Sequence, residues 1–92
     1  MSKPFDIELF LSGELTGSSA TRHRHMQQAK IIHAAIAEYW QRDNPWTWQR
    51  KHLAWFLNHR LRNKSEATRY HYGLTIQLLV SRLGKRSLLP PR

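Results

Sequence analysis

Apolar residues recur along this chain at three- and four-residue spacings, while the strict alternation of a half-buried strand is nearly missing. Phe5, Ile7, Leu9, Phe10 and Leu11, set between Ser2-Lys3-Pro4 and Gly13, predict a short helix over residues 4–12. Pro4 suits its first turn, Asp6 and Glu8 its positive end, and Gly13 its stop. Two or three turns do not persist alone, so this helix must dock on something. A connector over Gly13–Ser19 leads to a second helix that Ser18 or Ser19 can cap and that runs to about Arg42. Asn44-Pro45 closes it, because proline disfavours helix at the residue before it. Ala29, Ile32, Ile36 and Tyr39 form its apolar face, with Met26 and Trp40 adjoining.

Thr47 is the expected cap of a third helix that ends near Leu61. Trp48, His52, Trp55 and Phe56 share one of its sides, with Leu53 and Leu57 beside them. Arg62-Asn63-Lys64 is the turn into the fourth helix. That helix is capped by Ser65, carries Glu66 in its first turn, and stops at Gly84 in the C′ position. Tyr72, Ile76, Leu79 and Leu83 make its stripe, widened by Leu74 and Leu78. The tail GKRSLLPPR is too short and too proline-rich for another full helix. The expected architecture is all-α: a compact bundle of three main helices plus a short N-terminal helix. A single domain is expected, with residues 1–17 as short helix and connector, 18–85 as the bundle, and 86–92 as tail.

Composition narrows the function. Ninety-two residues with 40% hydrophobic content and four tryptophans suffice for one core, which excludes a multidomain enzyme or a doubly wound cofactor fold. Cysteine is absent, so no disulfide, thiolate nucleophile or thiolate zinc site is available. Uninterrupted apolar runs fall far short of the about twenty residues of a membrane helix. The acidic start MSKPFDIELF lacks the basic and apolar regions of a secretory signal, so the expected location is cytoplasmic.

Charge changes the picture most. Fifteen Lys and Arg face six Asp and Glu, for a net +9, with six histidines besides. Residues 1–20 carry one lysine against three carboxylates, whereas residues 21–92 carry fourteen basic side chains against three acidic ones. Such an excess repels itself in the folded state, and a polyanion is its natural counterpart.

Catalysis finds little support. Serines and histidines are present without any arrangement of nucleophile, base and orienting group, and the few carboxylates do not cluster as divalent-metal nucleases require. His23 and His25 point apart on a helix, and His52 and His59 stand two turns apart, so no metal is expected; these imidazoles should be partly solvated or hydrogen-bonded near an anion site. No catalytic residue and no cofactor is assigned. Trp46, in the loop Asn44-Pro45-Trp46-Thr47-Trp48, is the aromatic best placed to stack on an unpaired base, since Trp48 and Trp55 have core spacing. The strongest constellation is Lys64-Ser65-Glu66-Ala67-Thr68-Arg69-Tyr70-His71-Tyr72. Its capped helix start offers free N–H groups to a phosphate, flanked by Arg62, Lys64, Arg69 and His71, with Thr68, Tyr70 and Tyr72 as further donors.

In order of features, residues 18–85 resemble the N-terminal core-binding (SAM-like) domain of tyrosine recombinases and phage integrases. The resemblance rests on Ser18-Ser19-Ala20-Thr21 through Tyr39-Trp40, on His52-Leu53-Ala54-Trp55-Phe56-Leu57, and on the Ser-x-x-Thr helix from Ser65 and Thr68 to Leu83-Gly84. It implies a helical clamp on duplex DNA, with Arg50 and Lys51 serving from one helix and Ser65, Thr68, Arg69 and Tyr72 from the next. Two features depart from the family. The residues after Gly84 are too few for the catalytic domain, and the family's fourth helix is reduced to the tail or replaced by the acidic helix at residues 4–12. The resemblance therefore implies a freestanding, non-catalytic DNA-binding accessory or regulator of a phage, plasmid or integrated element.

Two other readings stand beside it. One is a small regulator that grips a partner protein through Phe5, Leu9 and Phe10; the plainer version has that helix completing the chain's own core. The other is a binder of single-stranded nucleic acid or RNA through Trp46.

Overall fold

The computed structural model describes residues 5–84, and these form a compact all-α globule without strands. Four α-helices succeed one another: α1 (Ile7–Leu11), α2 (Ser19–Trp40), α3 (Arg50–Trp55) and α4 (Glu66–Leu83). Short 3₁₀ turns occupy Ser12–Glu14 and Pro45–Thr47, and α3 widens into a π-helical turn over Phe56–Arg60. Within the described residues no helix is long and apolar enough to cross a membrane.

Local capping sets the boundaries of the long helices. Ser18 Oγ accepts the Thr21 N–H at 3.2 Å, and Ser65 Oγ accepts the Thr68 N–H at 3.2 Å. Each satisfies a backbone donor that its helix cannot. At the other end of α4, Gly84 adopts φ 68° and its N–H donates to the Val80 and Ser81 carbonyls. α2 stops slightly earlier than expected, at Trp40, because Gln41 itself turns left-handed at φ 58°. The Gln41 side-chain amide then donates to Glu38 O at 2.8 Å, covering one of the last-turn carbonyls.

α1 begins later than its sequence predicts. Asp6, not the proline region, caps it by accepting the Leu9 N–H at 3.1 Å, while Pro4 lies outside the described residues. Five residues cannot hold a helix by themselves. Ile7, Phe10 and Leu11 bury themselves against α2 and α4, Glu8 pairs with Lys30, and Arg82 Nε donates to the Phe10 carbonyl at 3.0 Å. The Arg82 guanidinium also lies 5.2 Å from the Phe10 ring centroid. So Phe10 belongs to the core and Phe5 packs half-buried against it, leaving only Leu9 of the proposed docking trio well exposed, at 75%. That geometry matches the plainer version of the N-terminal helix.

The third helix differs most from expectation. Thr47 ends a 3₁₀ turn capped by Asn44, and α3 starts at Arg50, so Trp48 lies outside the helix. It is core all the same, 2% exposed, with its indole N–H donating to Arg42 O at 2.8 Å. His52 departs from the expectation of an imidazole partly solvated or hydrogen-bonded near an anion site: it is buried, and its Nδ1 accepts the Gln49 N–H at 2.9 Å. That acceptor role requires the neutral ring with its proton on Nε2. Burial, then Lys51 and Arg42, hold its pKa below the ordinary 6.5.

α4 is the common wall of the bundle. Tyr72, Thr75, Ile76, Leu79, Val80 and Leu83 are buried, while Leu74 and Leu78 stay half-exposed at the margin. The fully buried Thr75 hydroxyl ties α4 to α2. It donates to Gln28 Oε1 at 2.7 Å and lies 2.7 Å from His25 Nδ1, which therefore carries the proton in that contact. Burial, with Arg24 and His71 as lesser causes, lowers the His25 pKa as well.

Two measurements test this packing. Both imidazoles bind protons less readily when folded, so the unfolded chain takes up more protons as pH falls below about 6.5, and stability drops. Thermal melts at pH 7.5 and 5.5 should show the loss, and His52→Asn, which keeps an acceptor near Nδ1, should reduce it. Separately, Phe10→Ala should cost about 3–5 kcal/mol, which threatens folding outright, while Leu9→Ala should stay within about 0.5 kcal/mol. Chemical denaturation of the two variants distinguishes a core helix from a free docking helix.

Candidate nucleic-acid interface

Between residues 50 and 69 the chain holds six Lys or Arg and one carboxylate, Glu66, and the structure leaves every one of these side chains exposed. Folding does this because the apolar positions of the same stretch, Leu53, Phe56 and Leu61, turn into the core and push the charges outward. Arg50 and Lys51 open α3. Lys51 Nζ stands 5.6 Å from the Trp40 ring centroid, where the ring's negative face favours a cation. Arg60 ends the π turn, Arg62 and Lys64 lie in the loop, and Arg69 stands in the first turns of α4.

At the start of α4, Ser65 Oγ accepts the Thr68 N–H and donates to Thr68 Oγ1 at 3.1 Å. Ser65 is thus committed to capping its own helix, whose start has a dipole that favours anions. Arg69 lines a shallow groove of about 400 Å³ between the π turn and α4, shared with Leu57, Asn58, Glu66, Tyr70 and Gly73.

Tyr72 does not join this surface. It is 9% exposed, with its ring 5.5 Å from that of Phe56, and burial raises its hydroxyl pKa. Its place in the apolar stripe prevails over its place in the Ser-x-x-Thr motif, because the ring is large and α4 presents that side to Phe56 of the π turn. The neighbouring Tyr70 is instead 64% exposed and lines the groove.

Some surface groups were not legible as candidates, and the candidate Trp46 is engaged in packing. Arg60 and His59 are exposed on the π turn, a widening that no periodicity announces. Trp46 is 44% exposed, but its ring is engaged: it meets Phe10 edge-on at 5.7 Å and lies 5.7 Å from the Arg82 guanidinium. A different aromatic group, Tyr39 stacked on Trp55 at 4.5 Å, is more open. A larger cavity of about 520 Å³ lies between α2 and α4, lined by Leu74 and Leu78 and by His25, without a Lys or Arg. Its chemistry does not suit a phosphate.

Chemically, the stretch from Arg50 to Arg69 can receive a row of phosphate oxygens. Nothing in it resembles a nucleophile with its base, and among the described residues no three His, Asp or Glu gather as metal ligands.

Gly73 offers a direct check on the groove. It sits inside an α-helix, and a Cβ built on it would meet nothing within 4 Å. Helical glycine costs roughly 0.5–1 kcal/mol relative to alanine. Gly73→Ala should therefore stabilise the protein and raise its Tm by a few degrees, read by calorimetry. A loss of stability would mean that the groove is closed in solution.

Compared with known proteins, the chain matches no family model, no curated protein and no solved structure.

Proposed function

We propose that this protein is a non-catalytic DNA-binding protein that grips the phosphates of duplex DNA. The observation that carries the reading is the exposed, six-to-one basic excess between Arg50 and Arg69, next to the capped start of α4. Arg50, Lys51, Arg62, Lys64 and Arg69 contact phosphates from two helix starts and the loop that joins the π turn to α4. Arg60 adds a further cation. Thr68 supplies a hydroxyl close to the helix start, and Ser65 holds that start in shape.

The resemblance to the core-binding domain of tyrosine recombinases and phage integrases supports the same reading. The resemblance involves a Ser/Thr-initiated helix, an aromatic-rich helix, and a Ser-x-x-Thr helix ending on glycine, with the basic residues between them. On this reading the protein acts in the cytoplasm, on the nucleoid, as an accessory or regulatory factor of a mobile element. Its affinity comes chiefly from displaced counterions. Any reading of base edges would fall to Arg50 or Arg69, whose guanidinium groups suit guanine in the major groove.

A salt series on labelled duplex DNA tests the proposal. The logarithm of affinity should fall linearly with the logarithm of salt concentration, with a slope near −0.9 per phosphate contacted. Replacing Arg62, Lys64 and Arg69 together by glutamine should make the slope shallower by about 3 and weaken all duplex sequences alike. Absence of duplex binding at low salt would overturn the reading.

A further inference from the structure

Tyr39 is placed where packing alone does not require it. It continues the apolar face of α2 yet is 64% exposed. Its ring is nevertheless held firmly: it stacks on Trp55 at 4.5 Å and 23°, and meets Trp40 at 5.3 Å and 68°. Trp40 in turn stands perpendicular to Trp55 at 6.1 Å and lies against the His52 ring at 4.9 Å. The result is an aromatic platform in which an exposed Tyr39 ring is backed by Trp55 and Trp40.

A groove of about 270 Å³ adjoins the platform, lined by Ala35, Glu38, Tyr39, Trp55 and Arg60. That is the room of roughly nine waters, which accommodates one planar ring system. Its polar groups are of two kinds. Glu38 accepts hydrogen bonds, as an exocyclic amino group requires, and Arg60 donates them to a ring carbonyl or a phosphate. Lys51, over Trp40, places a second cation beside the platform. A cationic guest, the other usual occupant of an aromatic cluster, is disfavoured by Arg60, Lys51 and the net charge of +9.

We propose that the Tyr39–Trp55 platform binds an unpaired DNA base, so that the protein prefers duplex DNA that carries a single-stranded stretch. Bases inside a duplex have both faces covered by neighbours and cannot use the platform, whereas a base at a tail or gap can stack on it. The inference rests on the DNA-binding reading above and adds a substrate class to it. The phosphate beside the unpaired base falls to Arg60, which lines the groove, while Arg50, Lys51, Arg62, Lys64 and Arg69 hold the duplex.

The test compares a blunt duplex with the same duplex bearing a short single-stranded tail, for the wild type and for Tyr39→Ala and Tyr39→Phe. Tryptophan fluorescence should be quenched by the tailed DNA more than by the blunt one, since Trp55 stacks on Tyr39 and Trp40 lies edge-on to both. Tyr39→Ala, at an exposed position that the fold tolerates, should lose about five- to hundred-fold in affinity for tailed DNA. It should leave blunt-duplex affinity unchanged, and Tyr39→Phe should behave as wild type. If Tyr39→Ala binds tailed DNA as well as wild type does, the platform proposal fails while duplex binding stands. If no DNA of either form binds, both readings fall together.

Discussion

Apolar contact along α4, from Tyr72 to Leu83, is shared by α1, α2 and the π turn at the end of α3. The short helices are not self-sufficient: α1 has five residues and α3 six, too few to nucleate and hold a helix in water. Each persists because its apolar side meets the stripe on α4 or the α2 face packed against it. The Thr75 hydroxyl, bonded to His25 and Gln28 of α2, fixes how the two long helices are set against each other. An apolar stripe alone would tolerate sliding, but a buried hydroxyl must meet its partners at one register or lose them.

A small core must also hold together a chain of charge +9. The solution is partly spatial. The acidic N-terminal segment lies against the basic body, where Glu8 pairs with Lys30 and Glu14 accepts from Ser81 Oγ at 3.3 Å. Arg82 is absorbed between the Phe10 carbonyl and the Phe10 and Trp46 rings. From Arg50 to Arg69 the balance is different, since one carboxylate accompanies six cations. Self-repulsion of that kind is relieved by an anionic partner, which ties the stability of the fold to its proposed function. The same neighbourhood explains why His52 stays neutral, since a third positive charge beside Lys51 and Arg42 would be buried as well as repelled.

Much of the fold was legible in single residues whose chemistry is local. Ser18, Ser65 and Gly84 mark helix ends because a side-chain oxygen can reach its own helix's N–H groups, and because glycine accepts positive φ, whatever the rest of the chain does. The basic stretch was legible for a similar reason: charges at the surface need no partner to stay there. The candidate site was less so. Tyr72 satisfied both the stripe and the motif, and only the packing of Phe56 against it decided between them. Arg60 and Tyr70 gained importance from the π turn and the groove beside it, which depend on how α3 ends against α4.

By itself the sequence determined the helical class, the start of α2, both ends of α4, most of the core stripe and the sign of the chain's own charge. Those properties arise from periodicity, capping and composition, which act over a turn or less or over the whole chain. Tertiary structure alone decided that Trp48 is core although it stands outside a helix, that His52 is buried, and that Tyr39 stays exposed. A three-four spacing says which side of a helix is apolar, but not how far along that side another element extends to cover it. At Ile36 the cover is complete, and at Tyr39, one turn further on, it has ended.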